Sequence, residues 1–319
     1  MKIVSSFLPP RALQKSITEK FNEHEFCFFK GMEQIDDKLI GEMEIFITYA
    51  EDLSPEIINR ASSLKWISAM AAGIDKMPIE AIESRGILVT NARGIHAVPM
   101  SEFALGLMLS HVKRLADLKD LQRESTWNKW LPVGELCGKT LLLLGTGAIP
   151  EEIARLADAF QMKVIGVNRS GRYDGESFSD VHPIGQLNQV LPEAHIIVSV
   201  LPSTPETRGL LTYDHFKQMR SDALFINLGR GDLITIETLK RVLEDKVVGH
   251  MALDVFPAEP LDADNPLWGY SNLTITPHIS SITENYLPRA FAIFEHNLDV
   301  YSGRKEDDYM NKIDLGKGY

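Results

Sequence analysis

Short apolar runs, separated by stretches with a helical pattern, recur along most of the chain and limit the folds open to it. The first series consists of KIVSS, EFCFF, MEIFITYA, LKWISAM and GILVTN. The second series consists of TLLLLG, KVIGVN, HIIVSVLP, DALFINLG, VGHMALDVF and NLTITPH. Strands that alternate with helices are typical of βα units, and runs this apolar suit strands covered on both faces. The pattern therefore predicts parallel sheets.

The order of these runs also predicts how the chain divides. A chain of 319 residues exceeds the usual single core, so we expect two domains. Residues 98–122 have a helical period after Pro99 and predict one long connecting helix. A last helical stretch, interrupted by Pro288 and ending near Gly303, is too short for a domain of its own.

The predicted fold class is therefore α/β, with two Rossmann-like or flavodoxin-like domains built on doubly wound parallel sheets. Residues 1–98 and 281–319 form a discontinuous substrate domain, and a nucleotide-binding domain of residues 99–280 is inserted in it. Helices are predicted at about 150–160, 213–219 and 235–244.

Charge and composition exclude several classes of function. The formal net charge of -11, without clustered Lys and Arg, argues against a nucleic-acid-binding surface. Cys27 and Cys137 lie far apart and in no metal-binding spacing, which predicts neither a disulfide framework nor a metal site. No apolar run approaches the roughly 20 residues that span a bilayer, and we expect a cytoplasmic protein.

The segment GTGAIP after the run TLLLL has the form of a dinucleotide-binding turn. Gly145 permits the sharp turn and Gly147 lets the backbone approach a pyrophosphate. Pro150 stands where the third glycine of the motif is usual, but the first turn of a helix tolerates proline. We expect the phosphates to be bound at the start of this helix by residues Gly145, Thr146, Gly147, Ala148 and Ile149.

The end of the next strand bears on the choice of cofactor. An NAD site usually places Asp or Glu there to bind the ribose hydroxyls, but this chain has Asn168, Arg169 and Ser170. Arg169 and Arg172, together with Ser170, can hold a 2′-phosphate through charge-assisted hydrogen bonds. The expected cofactor is NADP or NAD, with NADP favoured; a solvated basic loop is the alternative interpretation.

Three polar residues follow apolar runs of the second series and are predicted to meet at the carboxyl edge of a sheet. They are Arg230, Glu259 and His278. Reduction of a carbonyl by hydride needs a proton donor and a cation for the substrate carboxylate. His278 is the candidate acid, Glu259 stabilises its imidazolium form, and Arg230 offers a fork of donors. Each residue taken singly also fits an ordinary loop role.

Several motifs recur in the order typical of one family. AAGIDKM, SEFALGLML and LPSTPETRGLL precede the Arg, Glu and His motifs, and the chain resembles the D-isomer-specific 2-hydroxyacid dehydrogenases over nearly its whole length. The resemblance implies that Arg230 binds substrate, Glu259 partners the histidine and His278 transfers the proton. It implies substrate-carboxylate binding by backbone N–H groups of Ala72, Gly73 and Ile74. Further cofactor contacts are expected at Leu201, Pro202, Thr207, Leu228, Gly229, Asp254 and Ser280.

The resemblance also implies a homodimer built on the nucleotide domains, with Trp127 and Trp130 in a candidate arm. The expected activity is hydride transfer between a nicotinamide cofactor and a small 2-oxoacid or D-2-hydroxyacid. Glyoxylate, hydroxypyruvate and 3-phosphoglycerate remain open as substrates, and Arg93, Lys76 and His96 are further candidates for substrate contact. A dinucleotide-sensing, corepressor-like binding module on the same fold is the alternative function.

Overall fold

The chain forms two compact units. The computed structural model of the protein describes residues 1–74 and 76–315; the last four residues of the predicted segment 281–319 lie outside this range, as does position 75 of the AAGIDKM motif. One unit comprises Met1–Ile95 and Thr283–Tyr319, and the other comprises His96–Ile282. These boundaries differ by two or three residues from those expected from the sequence. The observed division falls just before a helix that begins at Ala97.

The first unit contains a five-stranded parallel sheet. Its strands are β1 (Lys2–Ser5), β2 (Glu25–Phe28), β3 (Ile45–Thr48), β4 (Trp66–Ala69) and β5 (Leu88–Thr90), in the order β2-β1-β3-β4-β5. Its helices are α1 (Arg11–Lys20), α2 (Asp37–Glu42), α3 (Pro55–Arg60), α4 (Ile79–Ser84) and, after the second unit, α11 (Tyr286–Tyr301). This is the flavodoxin-like strand order.

Local sequence explains where these helices begin. The Asp36 carboxylate accepts a hydrogen bond from Leu39 N at the start of α2. At the start of α3, Ser54 Oγ accepts one from Ile57 N, and Pro55 occupies the first helical position. Because the first backbone N–H groups of a helix lack partners within it, these side chains supply the missing acceptors.

The second unit contains a seven-stranded parallel sheet. Its strands are β6 (Thr140–Leu144), β7 (Lys163–Asn168), β8 (Asp180–Pro183), β9 (Ile196–Ser199), β10 (Leu224–Asn227), β11 (His250–Leu253) and β12 (Leu273–Ile275), in the order β12-β11-β10-β9-β6-β7-β8. Its helices are α5 (Ala97–Val112), α6 (Leu115–Arg123), α7 (Ala148–Ala159), α8 (Leu187–Val190), α9 (Tyr213–Gln218) and α10 (Ile236–Glu244). The order reverses between β6 and β9, as in Rossmann folds.

Both faces of this sheet are covered. Leu142 and Leu144 of β6 belong to one buried apolar cluster, whereas Leu141 and Leu143 belong to another. Successive strand residues face opposite sides of a sheet, so these two clusters are the cores on its two faces. The predicted α/β class with doubly wound parallel sheets is confirmed.

Two helix predictions need correction. Residues 98–122 do not form one helix, because Arg114 adopts a left-handed conformation (φ 52°) that separates α5 from α6. Pro288 does not interrupt the last helix: α11 begins at Tyr286, so the proline lies in its first turn, where its missing N–H costs no helical hydrogen bond.

The predictions for α7, α9 and α10 agree with the structure to within two residues. In the described part of the chain, the helices are too short or too polar for any of them to cross a membrane.

Candidate active site

The predicted trio comes together at the carboxyl edge of the second unit's sheet. Arg230 follows β10, Glu259 lies in the segment after β11, and His278 follows β12. They line a cavity of about 340 Å³, which we call the active-site cavity. Its lining residues are Ser203, Arg230, Gly231, Asp232, Val255, Phe256, Pro257, Glu259 and His278. Ligands of open α/β sheets bind at this edge because the loops that follow parallel strands converge there.

His278 and Glu259 form a hydrogen-bonded pair. His278 Nδ1 lies 2.8 Å from Glu259 Oε2, and Glu259 Oε1 accepts a hydrogen bond from Phe256 N at 2.8 Å. A carboxylate on Nδ1 fixes a proton on that nitrogen, because a carboxylate only accepts hydrogen bonds. Nε2 is then the ring nitrogen that exchanges a proton with a ligand.

The buried carboxylate of Asp254 holds the segment that carries His278. Its Oδ1 accepts hydrogen bonds from Thr276 Oγ1 at 2.6 Å and Ile279 N at 3.0 Å, and its Oδ2 accepts one from Ser280 N at 3.0 Å. Its carbonyl oxygen also accepts a bond from His278 N at 2.9 Å. The side chain of Asp254 is therefore largely engaged within the protein.

These bonds hold His278 in an unfavourable backbone conformation. Its φ of 52° lies in the left-handed region, which costs a residue other than glycine on the order of 1 kcal/mol. Such a conformation persists only where the surroundings enforce it. Asp254 provides this enforcement through bonds on both sides of the histidine.

Arg230 is held by its backbone. The buried side chain of Asn227 at the end of β10 donates to Arg230 O at 3.0 Å and accepts from Gly229 N at 3.1 Å. Arg230 Nη1 donates to Gly229 O at 2.9 Å, while the exposed guanidinium keeps its other donors for a ligand. The charge of Arg230 also lowers the pKa of His96, although burial is the larger cause.

The expected dinucleotide turn is present. Gly145 has a φ of 111°, Gly147 is the residue before α7, and a Cβ on Gly147 would meet no atom within 4 Å. Thr146 lies between these glycines, and Ala148, Ile149 and Pro150 form the first three positions of α7. The open space beside Gly147 and the backbone N–H groups at the helix start fit a pyrophosphate. Pro150 leaves this arrangement intact.

The carboxyl ends of the neighbouring strands complete this part of the site. A Cβ on Gly229 would lie 2.5 Å from Leu201 O, so the residues after β9 and β10 approach each other through their backbones. Leu228 and Pro202 lie beside them in the chain. Thr207 Oγ1 donates to Pro202 O at 2.6 Å, and this hydrogen bond closes the turn formed by residues 202–207. The structure thus places the predicted contacts at one edge of the sheet, consistent with a bound dinucleotide.

Asn168 organises the loop after β7. Its Oδ1 accepts hydrogen bonds from Ser170 N at 3.0 Å and Gly171 N at 2.6 Å. Its Nδ2 donates to Thr146 Oγ1 at 2.9 Å and to Arg172 O at 2.8 Å. Most of its hydrogen-bonding capacity is therefore used within this loop and on the dinucleotide turn. Arg169 is exposed beside it.

The predicted carboxylate loop lies in the first unit. Ala72, Gly73 and Ile74 follow β4, and Asn91 Nδ2 donates to Ala72 O at 2.6 Å. Of the other candidates in this unit, Lys76 forms a surface ion pair with Glu51 at 2.9 Å, and the side chain of Arg93 is exposed.

Sequence reasoning did not identify Asn227, Ser203 or Asp232. One sequence signal could have identified Asn227: it is a polar residue at the end of the apolar run LFIN. Asn at such a position often forms hydrogen bonds that organise the following loop. Ser203 and Asp232 line the active-site cavity, but their pairing joins positions distant in sequence. Within the described residues, no group of three or more His, Cys, Asp or Glu is arranged to hold a metal ion.

Comparisons with known proteins agree with this geometry. The model of the D-isomer specific 2-hydroxyacid dehydrogenase NAD binding domain matches residues 105–280. A glyoxylate reductase from Thermofilum pendens is 30% identical over 268 residues, covering 82% of this chain and 79% of the relative. A D-3-phosphoglycerate dehydrogenase from Methanocaldococcus jannaschii is 29% identical over 297 residues, covering 92% of this chain and 56% of the relative.

Solved structures extend the likeness to the whole fold. A D-isomer specific 2-hydroxyacid dehydrogenase family protein from Aeromonas salmonicida has a TM-score of 0.83 and 34% identity, and the match covers 98% of each chain. A probable 2-hydroxyacid dehydrogenase from Rhizobium etli, solved with NADP, HEPES and L(+)-tartaric acid, has a TM-score of 0.79 and 25% identity, with 100% of this chain and 99% of that chain covered.

The chain belongs to the D-isomer specific 2-hydroxyacid dehydrogenase family. It is an NAD(P)-dependent oxidoreductase that transfers a hydride between the nicotinamide and a small 2-oxoacid or D-2-hydroxyacid. The resemblance stated from the sequence motifs is confirmed.

Replacing Asp254 by Asn tests how His278 is positioned. The amide offers one acceptor oxygen to three donors and leaves at least one of them unsatisfied, at a cost of about 2 kcal/mol in the free energy of unfolding. With the loop loosened, we expect kcat to fall at least about tenfold. Denaturant unfolding and steady-state kinetics measure both quantities. Asp264→Asn, at an exposed position in the same unit, is the control, and an unchanged kcat in Asp254→Asn would contradict the positioning role.

Proposed function

We propose that the protein reduces a small 2-oxoacid of the glyoxylate or hydroxypyruvate type, with His278 as the proton donor and Arg230 as the substrate anchor. The observation that carries this proposal is the His278–Glu259 pair, 2.8 Å apart, in the same cavity as Arg230. A nicotinamide bound here would supply or accept the hydride at C2 of the substrate. Each reduction consumes one proton, which His278 Nε2 delivers to the carbonyl oxygen.

The other groups divide the work of binding and charge stabilisation. Arg230 grips the carboxylate and the carbonyl oxygen through its fork of donors. Glu259 stabilises the imidazolium of His278 before the proton leaves, and in the reverse direction it stabilises the imidazolium that forms. Backbone N–H groups of Ala72, Gly73 and Ile74 bind the carboxylate. Residues 1–98 with 281–319 thus serve as the substrate domain, and residues 99–280 as the nucleotide-binding domain.

The charges that line the active-site cavity favour a substrate with one anionic group. Arg230 and His278 are its basic groups, and Asp232 and Glu259 place two carboxylates beside them. A phosphate on the substrate adds nearly two further negative charges. Lys76, one candidate for binding such a phosphate, is paired with Glu51. We therefore favour glyoxylate or hydroxypyruvate over 3-phosphoglycerate.

A panel of substrates and cofactors tests this function. NADPH and NADH oxidation is followed with glyoxylate, hydroxypyruvate and bulkier 2-oxoacids, and the reverse reaction is followed with 3-phosphoglycerate. Turnover of glyoxylate or hydroxypyruvate is the expected result. Activity with 3-phosphoglycerate alone would overturn the substrate choice, and tight cofactor binding without turnover of any compound would favour a dinucleotide-sensing module.

For the cofactor, we propose NADP in preference to NAD. The strand β7 ends at Asn168, where an NAD site usually has a carboxylate for the ribose hydroxyls, and the Oδ1 of this amide already accepts from Ser170 N and Gly171 N. The same loop exposes Arg169 and Arg172. An NADP-bound structure of the similar Rhizobium etli protein supports this preference. The nicotinamide carboxamide contact of Asp254 stays a prediction.

Arg169→Ala tests the 2′-phosphate contact. Loss of a charge-assisted hydrogen bond is expected to raise the NADPH dissociation constant about tenfold and to leave that of NADH nearly unchanged. Fluorescence titration with each cofactor measures the two constants. Arg220→Ala, which removes an arginine paired with Asp222 before β10, is the control. Equal losses for both cofactors in Arg169→Ala would refute the contact.

We also propose a homodimer formed through the nucleotide domains. Between α6 and β6 the chain exposes Trp127 to 95% and Trp130 to 81%, with Val133 half exposed nearby. Grouped exposed apolar side chains are typical of association surfaces.

We propose a cytoplasmic location as well. The free thiols of Cys27 and Cys137 suit the reducing cytoplasm, and cell fractionation tests this location.

Replacing Trp127 and Trp130 together by Ser tests the arm. Removing two large apolar side chains from an interface is expected to convert the dimer to a monomer at micromolar concentration. Sedimentation velocity measures the mass. Trp268→Ser, at a tryptophan that is 53% exposed, is the matched control and should leave the dimer intact. A monomeric wild-type protein would contradict the proposal.

A further inference from the structure

We propose that Asp232 is a positioning residue that links the cofactor-side turn, residues 201–209, to Arg230. Cofactor binding to this turn thereby sets the geometry of the guanidinium that receives the substrate. The inference rests on the proposed role of Arg230 as the substrate anchor and adds a residue through which the two binding events communicate.

Two side chains of the turn converge on one carboxylate oxygen of Asp232. Ser203 Oγ donates to Asp232 Oδ2 at 2.5 Å, and Arg208 Nε lies 3.3 Å from the same oxygen. Arg208 Nε also donates to Ser203 Oγ at 3.1 Å. The three side chains form a closed set of contacts in which displacement of the turn displaces the carboxylate.

The backbones of the two segments are joined as well. Gly209 N donates to Asp232 O at 2.8 Å, and Leu211 N donates to Leu233 O at 3.2 Å. The turn is internally closed by Thr207, whose hydroxyl accepts from Thr204 N at 2.8 Å. Because Thr207 is a predicted cofactor contact and directly precedes Arg208, a cofactor bound there acts next to the Asp232 contacts.

On its other side, Asp232 adjoins the catalytic groups along the chain. It lies in a short 3₁₀ turn, Gly231–Leu233, directly after Arg230. A Cβ on Gly231 would lie 2.0 Å from the carbonyl carbon of Phe256, so this turn packs directly against the backbone. The N–H of Phe256 donates to Glu259. A shift of the Asp232 turn is thus transmitted to Arg230 and limited by the segment that carries Glu259.

Because the Arg208–Asp232 ion pair is exposed, a positioning role of Asp232 can be distinguished from a role in stability. The side chains of Arg208 and Asp232 are 64% and 39% exposed, and exposed ion pairs contribute little to the free energy of unfolding. Removing the carboxylate is therefore expected to leave the melting temperature almost unchanged. Its effect should appear in the linkage between cofactor and substrate binding.

Asp232→Ala in the full-length protein tests the link, because it removes the oxygen that Ser203 and Arg208 share. Oxamate is the probe for a bound 2-oxoacid, and calorimetry gives its dissociation constant with and without saturating NADPH. In the wild type we expect NADPH to tighten oxamate binding at least about tenfold, and in Asp232→Ala we expect less than about threefold. The affinity for NADPH itself should change less than about threefold, and the melting temperature less than about 2 °C.

Two further variants sharpen the test. Arg208→Ala breaks the other end of the link and should show the same loss, and the double variant should be no worse than either single one because both act on one contact set. Asp222→Ala is the matched control, since this Asp is paired with Arg220 outside the active-site cavity and should behave as the wild type.

The proposal would be overturned by a wild type with no cofactor-linked gain, by a full gain retained in Asp232→Ala, or by parallel losses of melting temperature and NADPH affinity in that variant. Arg230→Lys is measured beside it. Unchanged oxamate affinity in Arg230→Lys would remove the premise that Arg230 anchors the substrate and would overturn the link with it. A preserved linkage without turnover of any 2-oxoacid would support the link and reject only the proposed reaction.

Discussion

The buried carboxylate of Asp254 is the interaction on which the active site most depends. It follows β11 and accepts hydrogen bonds from the segment after β12, so it ties the ends of two neighbouring strands together. A carboxylate buried in this way is stable only if its oxygens are satisfied, and here three donors satisfy them. The result is a histidine held in a left-handed conformation with its ring against Glu259.

The remaining groups are fixed by similar local means. Asn227 closes the loop that presents Arg230, and Phe256 N holds the far oxygen of Glu259. The proton donor and the substrate anchor therefore lie at one edge of a single sheet. Their placement matters because catalytic groups act only within a narrow range of distances and angles. The Asp232 contacts extend this connected edge to the cofactor-side turn.

The sequence predicted the sheets well because buried parallel strands have nearly continuous apolar runs. It did not reveal β8, because Asp180–Pro183 is short, partly exposed and lacks such a run. The break at Arg114 was also missed, since a left-handed residue between two helical patterns leaves no mark on the apolar period. The helical pattern starts at Ile282 in the sequence and places Pro288 inside the helix, but α11 begins only at Tyr286, so the proline falls in its first turn.

For the site, the convergence of Arg230, Glu259 and His278 was predictable from their places after apolar runs. The hydrogen bonds that the Asp254 carboxylate accepts were not predictable, because their donors come from the segment after another strand, β12. The same holds for Asn168, whose amide closes its own loop through contacts that the identity of the residue alone does not specify.

Replacing His278 by Ala tests whether this histidine delivers the proton. We expect kcat for 2-oxoacid reduction to fall at least about a thousandfold while the NADPH dissociation constant changes less than about threefold. His182→Ala, at a histidine paired with Asp180 on the edge strand β8, should leave both values unchanged. A kcat within about tenfold of the wild type in His278→Ala would contradict the account.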